Sequence, residues 1–177
     1  TNTVHPLELT DILCPPHAQD NLARLPTAPQ AKANILTITQ AMHTHNPQLL
    51  QGDYVINETA SDDWAKRAHA RSVCPALTKG LKQGFWLGSR GRHLTLNECA
   101  RAHGYRDTIN WPSPPHRAYH LLGNTMSLCI LERAIYMLLT AVYPRIAIKN
   151  PWVTSVATQK LKDQARTDQV VPTNEAA

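Results

Sequence analysis

The sequence predicts a mixed fold, mostly helical with a small β unit, on three observations. Short alternating segments at Asp53–Asn57 and Gly84–Leu87 are typical of strands. A capping box that begins at Thr95 predicts the start of a helix, and Gly104 is placed to end it. The longest apolar run at helical spacing, Ser127–Val142, predicts a second main helix.

Prolines shape the first part of the chain. Five prolines interrupt the first 30 residues, and this density prevents a long helix, so an extended connector with at most one short turn is expected. Residues 31–45 follow helical spacing and predict a helix, although their β-branched residues weaken its propensity. A further short strand is expected at Val73–Lys79, a turn at Gly88–Gly91 and a proline-rich loop at Trp111–His116.

The composition is that of a globular protein with a basic surface. Hydrophobic residues make up 42% of the 177 residues, and 18 Lys and Arg exceed 13 Asp and Glu, which gives a formal net charge of +5. An excess of this sign favours a polyanionic partner such as DNA. Many basic proteins bind no nucleic acid, so the charge alone leaves this question open.

The cysteines and the termini bear on the cellular compartment. The four cysteines lie far apart and form no C-x-x-C pair, so no zinc site is expected, and reduced thiols predict an intracellular protein. No apolar run reaches the roughly 20 residues that a membrane span needs, so no membrane partner is expected. The chain begins with Thr1 and has neither an initiator Met nor a signal peptide, which fits a fragment or a processed chain.

Two stretches resemble motifs of the DNA cytosine-5 methyltransferase family. Arg92–Asp107 reads RHLTLNECARAHGYRD and resembles the ninth motif of that family, R-x-L-T-x-x-E-x-A-R-L-x-G-F-P-D. Tyr119–Met126 reads YHLLGNTM and resembles the tenth motif, in which a Gly-Asn-small tripeptide opens the last helix. Upstream, Val73–Thr78 resembles the C-P-T-L-T segment that often closes the target-recognition region. Ala102-His103 and Tyr105-Arg106 depart from the family pattern and indicate a divergent branch.

This resemblance implies a fold class, a division of the chain and a function. The fold would be α/β, the C-terminal fragment of an S-adenosylmethionine-dependent methyltransferase fold. Residues 1–91 would be a connector and part of the target-recognition region, 92–143 would return to the catalytic domain, and 144–177 would be a polar, disordered tail. The whole enzyme would transfer a methyl group from S-adenosylmethionine to cytosine C5 in DNA. Its partners would be DNA and the missing N-terminal catalytic part, in the nucleus of a eukaryote or the cytoplasm of a bacterium.

The residues that would perform the chemistry do not occur in this sequence. The family uses a Gly-rich turn for the cofactor, a Pro-Cys nucleophile and a Glu-Asn-Val triplet, whereas Cys14 precedes Pro15 here, in the reverse order. Methylation at C5 requires a thiolate near C6 of an extruded cytosine and an acid near N3. No catalytic residue is therefore assigned, and the isolated chain is predicted to be inactive.

Seven residues are candidates for binding. By resemblance, Gly123, Asn124 and Thr125 would support the S-adenosylmethionine pocket. Cations in a basic, aromatic stretch could contact DNA phosphates: Lys79, Lys82, Arg90 and Arg92.

Each candidate has a plainer interpretation. The basic stretch could be only a solvated hairpin, and Gly123-Asn124 a turn. Cys99 and His103 have a metal-ligand spacing but no second pair, and the capping box accounts for Glu98. A non-catalytic basic DNA-binding or scaffold module, derived from such an enzyme, is the alternative function.

Overall fold

Among the described residues, five α-helices of four residues or more form the frame of the fold. The computed structural model describes residues 8–16, 25–45, 47–59, 69–70, 74, 76–78, 85–105, 109–150, 159–160 and 162–163. Its α-helices are α1 (Leu9–Ile12), α2 (Pro29–His45), α3 (Leu96–Ala102), α4 (Pro115–Asn124) and α5 (Leu128–Val142). Short 3₁₀ turns cover Pro47–Gln51 and Gly88–Arg90.

Four two-residue strands form an antiparallel sheet in the order β2-β1-β3-β4. They are β1 (Val55–Ile56), β2 (His69–Ala70), β3 (Trp86–Leu87) and β4 (Arg92–His93). The sequence predicted β1 and β3, which carry β-forming apolar residues. It did not predict β2 and β4, because His, Ala and Arg carry a weak strand signal. The strand expected at Val73–Lys79 is wrong for Cys74 and residues 76–78, which lie in irregular structure, and its other residues lie outside the described ranges.

The helix predictions mostly hold, with one omission. Helix α2 covers the predicted residues 31–45, and α5 begins one residue after the predicted start at Ser127. Helix α4 was missed because its first turn lies in the proline-rich segment that was read as loop. Pro115 occupies its N1/N2 position, where a helix tolerates the missing N–H.

The sheet separates two apolar clusters because successive strand residues point to opposite faces. On one face, α2 contributes Ile35, Ile38 and Met42, which pack against Tyr54, Ile56 and Trp86. On the other face, α1 and the residue after it pack with α3, α4 and the strands through Leu9, Ile12, Leu13, Val55, Leu77, Phe85, Leu87, Leu94, Cys99 and Leu122.

The second of these clusters crosses the predicted boundary between residues 91 and 92. It joins α1 to α3 and α4, and the β3–β4 pair also spans that boundary, with Trp86 opposite His93. The two predicted parts therefore share one core. The assignment of recognition to one part and catalytic support to the other stays a prediction.

Helix α5 lies outside both clusters. None of its residues is buried, and its most exposed large apolar side chains range from 37% exposed (Leu139) to 69% exposed (Met137), while Leu128, Cys129 and Tyr136 are partly buried. The helical stretch Pro115–Val142, which joins α4 and α5, is long and apolar enough to cross a membrane by length and composition alone. The sequence analysis missed this stretch because it counted uninterrupted apolar residues.

Candidate functional site

The carboxylate of Glu98 is the centre of a polar cluster at the start of α3. Its side chain is fully buried and accepts two hydrogen bonds from the Arg92 guanidinium, Nη1 to Oε2 and Nη2 to Oε1, both at 2.8 Å. The backbone N–H of Thr95 donates to it at 2.7 Å and that of Cys14 at 2.9 Å. Burial raises the pKa of Glu98, but these hydrogen bonds and the positive charge of Arg92 outweigh burial and hold the pKa below its ordinary value.

The capping box predicted at Thr95 is confirmed and forms part of this cluster. The Thr95 hydroxyl accepts from the Glu98 backbone N–H at 3.2 Å, while the Glu98 side chain reaches back to the Thr95 N–H. Glu98 thus caps the helix, pairs with Arg92 and binds the backbone at Cys14. The capping box alone signalled only the first of these roles in the sequence.

Two further arginines hold the N-terminal segment. Arg101 donates to the Ile12 carbonyl at 2.6 Å and to the Cys14 sulfur at 3.3 Å. Arg90 donates to the Cys14 carbonyl at 2.6 Å and pairs with the Asp53 carboxylate at 3.3 Å. Sequence reasoning missed these contacts because they join residues 37 to 89 positions apart.

Of the four residues predicted to bind DNA, the structure describes Arg90 and Arg92, and both are engaged in ion pairs within the protein. The guanidinium groups of Arg90 and Arg92 are bound to Asp53 and Glu98. Lys79 and Lys82 lie outside the described residues. Contact between these four residues and DNA stays a prediction.

The predicted cofactor residues lie at the junction of α4 and α5. The expectation that Gly123-Asn124 opens the last helix is wrong, because both residues end α4 and Ser127 is the N-cap of α5. The exposed Asn124 amide contacts Nδ1 of His120 at 3.3 Å. Support for a cofactor by this tripeptide stays a prediction.

The end of α3 touches this junction directly. Nδ1 of His103 lies 3.3 Å from the Thr125 hydroxyl, and the backbone N–H of Leu128 donates to the His103 carbonyl at 2.8 Å. Gly104 adopts φ +83°, and a Cβ there would lie 3.1 Å from the Cys129 sulfur. The two stretches that carry the family resemblance are thus in contact, which their separation in sequence could not reveal.

Three cysteines are poor nucleophiles. Burial raises the pKa of Cys74 to about 12, and burial also raises the pKa values of Cys99 and Cys129. A raised pKa favours the protonated thiol over the thiolate, which is the reactive form. Within the described part of the chain, no three His, Cys, Asp or Glu side chains are grouped so that they could hold a metal ion.

A cleft of about 490 Å³ opens between α2 and the β3–β4 turn. Thr39, His43, Gln51, Asp53 and Ser89 supply polar groups to its lining. The Ser89 hydroxyl donates to Asp53 at 2.5 Å, so the β3–β4 turn is joined to the segment that precedes β1. Because Asp53 also pairs with Arg90, its charge is already compensated within the protein.

Comparisons with protein-family models, curated proteins and solved structures find no match to this chain. The methyltransferase interpretation therefore rests on the motif residues of the sequence.

The burial of His103 predicts a pH dependence of stability. Burial lowers the pKa of His103 below 6.5, so the unfolded chain binds a proton more readily than the folded one. The stabilising contribution is fully present above pH 6.5 and falls as the pH drops towards the lowered pKa. We expect His103→Gln to flatten this loss between pH 7.5 and 5.5 in thermal unfolding. His116→Gln, at an exposed position of α4, is the control, and an unchanged slope in His103→Gln would contradict the prediction.

Proposed function

We propose that this chain is the C-terminal part of a DNA cytosine-5 methyltransferase, which supplies DNA recognition and supports the cofactor pocket. The observation that carries the proposal is the contact between the two motif-bearing stretches at His103, Thr125 and Leu128. In the first stretch, Arg92 and Glu98 form a bidentate pair. A chance match would not require its residues to meet in this way.

The exposure of helix α5 supports the inference that a partner of this chain is missing from the structure. The exposed side chains of α5 include Ile130, Ile135, Met137 and Leu138. A contiguous exposed apolar surface marks a site of contact with another protein or with a membrane. Glu132 and Arg133 lie within α5, and a charged side chain at the centre of a bilayer costs about 2.5–3.5 kcal/mol even on the lenient insertion scale. A protein partner is therefore favoured, and we assign the surface of α5 to the catalytic part that precedes this chain.

The α4–α5 junction is where the chain would meet the cofactor. S-adenosylmethionine supplies the transferred methyl group when it is bound. The amide of Asn124 is exposed and can both donate and accept hydrogen bonds, which fits a polar ligand. Thr125 is held by the Leu122 carbonyl at 2.7 Å and by His103, so the turn is fixed by protein contacts.

Cysteine labelling can show whether a partner covers α5. The result distinguishes the proposed enzyme fragment from the alternative, a non-catalytic module. We expect a cysteine introduced by Met137→Cys to react rapidly with a maleimide in the 177-residue chain. The same cysteine should react at least ten times more slowly in the longer polypeptide that contains the catalytic part, because the partner covers Met137. Lys32→Cys, at an exposed position of α2, should react equally in both, with labelling located by mass spectrometry. Equal labelling of Met137→Cys in both proteins would favour the module.

The basic balance of the chain predicts weak, salt-sensitive DNA binding. Non-specific affinities typically lie around 10⁻⁴–10⁻⁶ M at physiological salt, and each phosphate contact contributes to the salt slope. Arg90 and Arg92 hold the fold together, so Lys79→Ala with Lys82→Ala is the cleaner test. We expect this pair to reduce the magnitude of the slope of log K against log salt by about 1–2. An unchanged slope would exclude these two lysines as phosphate contacts.

A further inference from the structure

The segment Glu8–Pro16 lies in a groove as a bound peptide would. Leu9, Ile12 and Leu13 have the i, i+3, i+4 spacing of one helical face, and their exposed fractions are only 3%, 5% and 2%. This spacing is the anchor pattern of helices that bind in apolar grooves. The groove is lined by side chains from β1, β3, α3 and α4: Val55, Leu87, Cys99 and Leu122, with Leu94 beside α3.

The groove also binds the backbone of this segment. Glu98 accepts from the Cys14 N–H, Arg101 donates to the Ile12 carbonyl, and Arg90 donates to the Cys14 carbonyl. These three groups satisfy backbone atoms at the C-terminal end of a helical turn, where carbonyls have no partner within the helix. Hydrogen bonds to charged groups are the stronger kind. Recognition by the groove thus combines three apolar anchors with a charged clamp on the backbone.

The segment supplies its own local structure. The Glu8 backbone N–H donates to the Asp11 carboxylate at 3.0 Å, in a capping box that lies entirely within the segment. Thr10 is exposed on the outer side, and Pro15 and Pro16 leave the groove into solvent. The segment therefore has a buried face, an exposed face and a separate cap, as a short recognition helix has.

We propose that the groove is a helix-binding site whose occupant is the chain's own segment Glu8–Pro16, held as an exchangeable internal ligand. The recognised pattern is an apolar residue followed by two more at i+3 and i+4, together with the Ile12 and Cys14 backbone groups that the charged side chains bind. This inference does not depend on the proposed function, because it uses only contacts within the chain.

A cleavable version of the full chain tests the proposal. A recognition sequence for a specific protease is placed between Pro16 and Leu25, and the chain is cut after folding. A synthetic peptide of residues 8–16, labelled with a fluorophore at Thr10, is then added. We expect the peptide to displace the cut N-terminal fragment and to bind with saturation at one peptide per chain, measured by fluorescence anisotropy and gel filtration.

Matched variants identify the contacts. A peptide with Leu9→Ser and Ile12→Ser should bind at least about a hundred-fold more weakly, because two buried side chains lose their apolar contact. In the protein, Arg101→Leu should weaken binding about ten-fold, whereas Arg145→Leu, at an exposed position after α5, should not change it. The proposal is overturned if the cut fragment exchanges only under conditions that unfold the remainder. It is equally overturned if the cut chain loses its helical circular dichroism and added peptide does not restore it.

Discussion

Glu98→Gln is expected to lower the free energy of unfolding by about 3–5 kcal/mol, the cost of breaking a buried ion pair by removing one partner. The Glu98 side chain is fully buried, and the Arg92 side chain is 24% exposed, so solvent replaces little of the lost interaction. A glutamine also has one oxygen where the carboxylate has two, so the Thr95 and Cys14 N–H groups cannot both keep their partners. Urea unfolding followed by circular dichroism measures the effect.

The control for this variant is Glu132→Gln on α5. Glu132 is exposed, and its replacement should change the unfolding free energy by less than about 0.5 kcal/mol. A loss below 1 kcal/mol in Glu98→Gln, with an unchanged fold, would contradict the central place of this carboxylate.

Protonation of Glu98 at acidic pH should also destabilise the fold. Because the folded pKa of Glu98 lies below its ordinary value of 4.5, the carboxylate stabilises the fold above pH 4.5. That contribution is lost as the pH falls through the folded pKa. The unfolding free energy of the wild type should therefore decline more steeply below pH 4.5 than that of Glu98→Gln.

Gly88→Ala is expected to destabilise the protein by about 1–3 kcal/mol, through overpacking at the turn between β3 and β4. A Cβ at this position would lie 2.1 Å from Cε2 of Tyr54 and 2.5 Å from its Cζ. Tyr54 is 6% exposed and packs with α2, so its ring cannot move away freely. The backbone N–H of Gly88 also donates to the Tyr54 carbonyl at 3.0 Å, which fixes the two segments at this distance.

A double-mutant cycle separates this clash from a loss of backbone freedom. In a Tyr54→Leu background the atoms that meet the new Cβ are absent, so adding Gly88→Ala should cost less than about 0.5 kcal/mol. The same large cost in both backgrounds would show that the backbone, and not the ring of Tyr54, requires glycine at this position.

Local sequence signals were sufficient for α2, α3 and α5, but they did not predict α4 or the contacts of the site. The capping box at Thr95 fixed the start of α3, and Gly104 ended it with the positive φ that glycine adopts freely. Spacing identified α2 and α5. Each of these signals involves residues that are close in sequence, so it can be recognised without knowing the fold.

The features that the sequence did not predict depend on contacts between residues far apart in the chain. From the sequence, Arg90 and Arg92 were interpreted as surface cations that could bind DNA. In the structure they form ion pairs with Asp53 and Glu98. The family motif suggested that Gly123-Asn124 opens a helix, whereas in the structure these two residues end α4. The position of Glu8–Pro16 against α3 depends on packing across the whole chain, and no local pattern predicts it.

If this chain is the C-terminal part of a methyltransferase, as proposed, methyl transfer by the longer polypeptide tests the central claim most directly. That polypeptide is incubated with DNA and S-adenosylmethionine labelled in its methyl group, and the digested nucleosides are analysed. The account predicts labelled 5-methylcytosine from this polypeptide and none from the 177-residue chain alone. A folded polypeptide that binds no S-adenosylmethionine and leaves cytosine unmodified would contradict it, as would methyl transfer by the 177-residue chain alone.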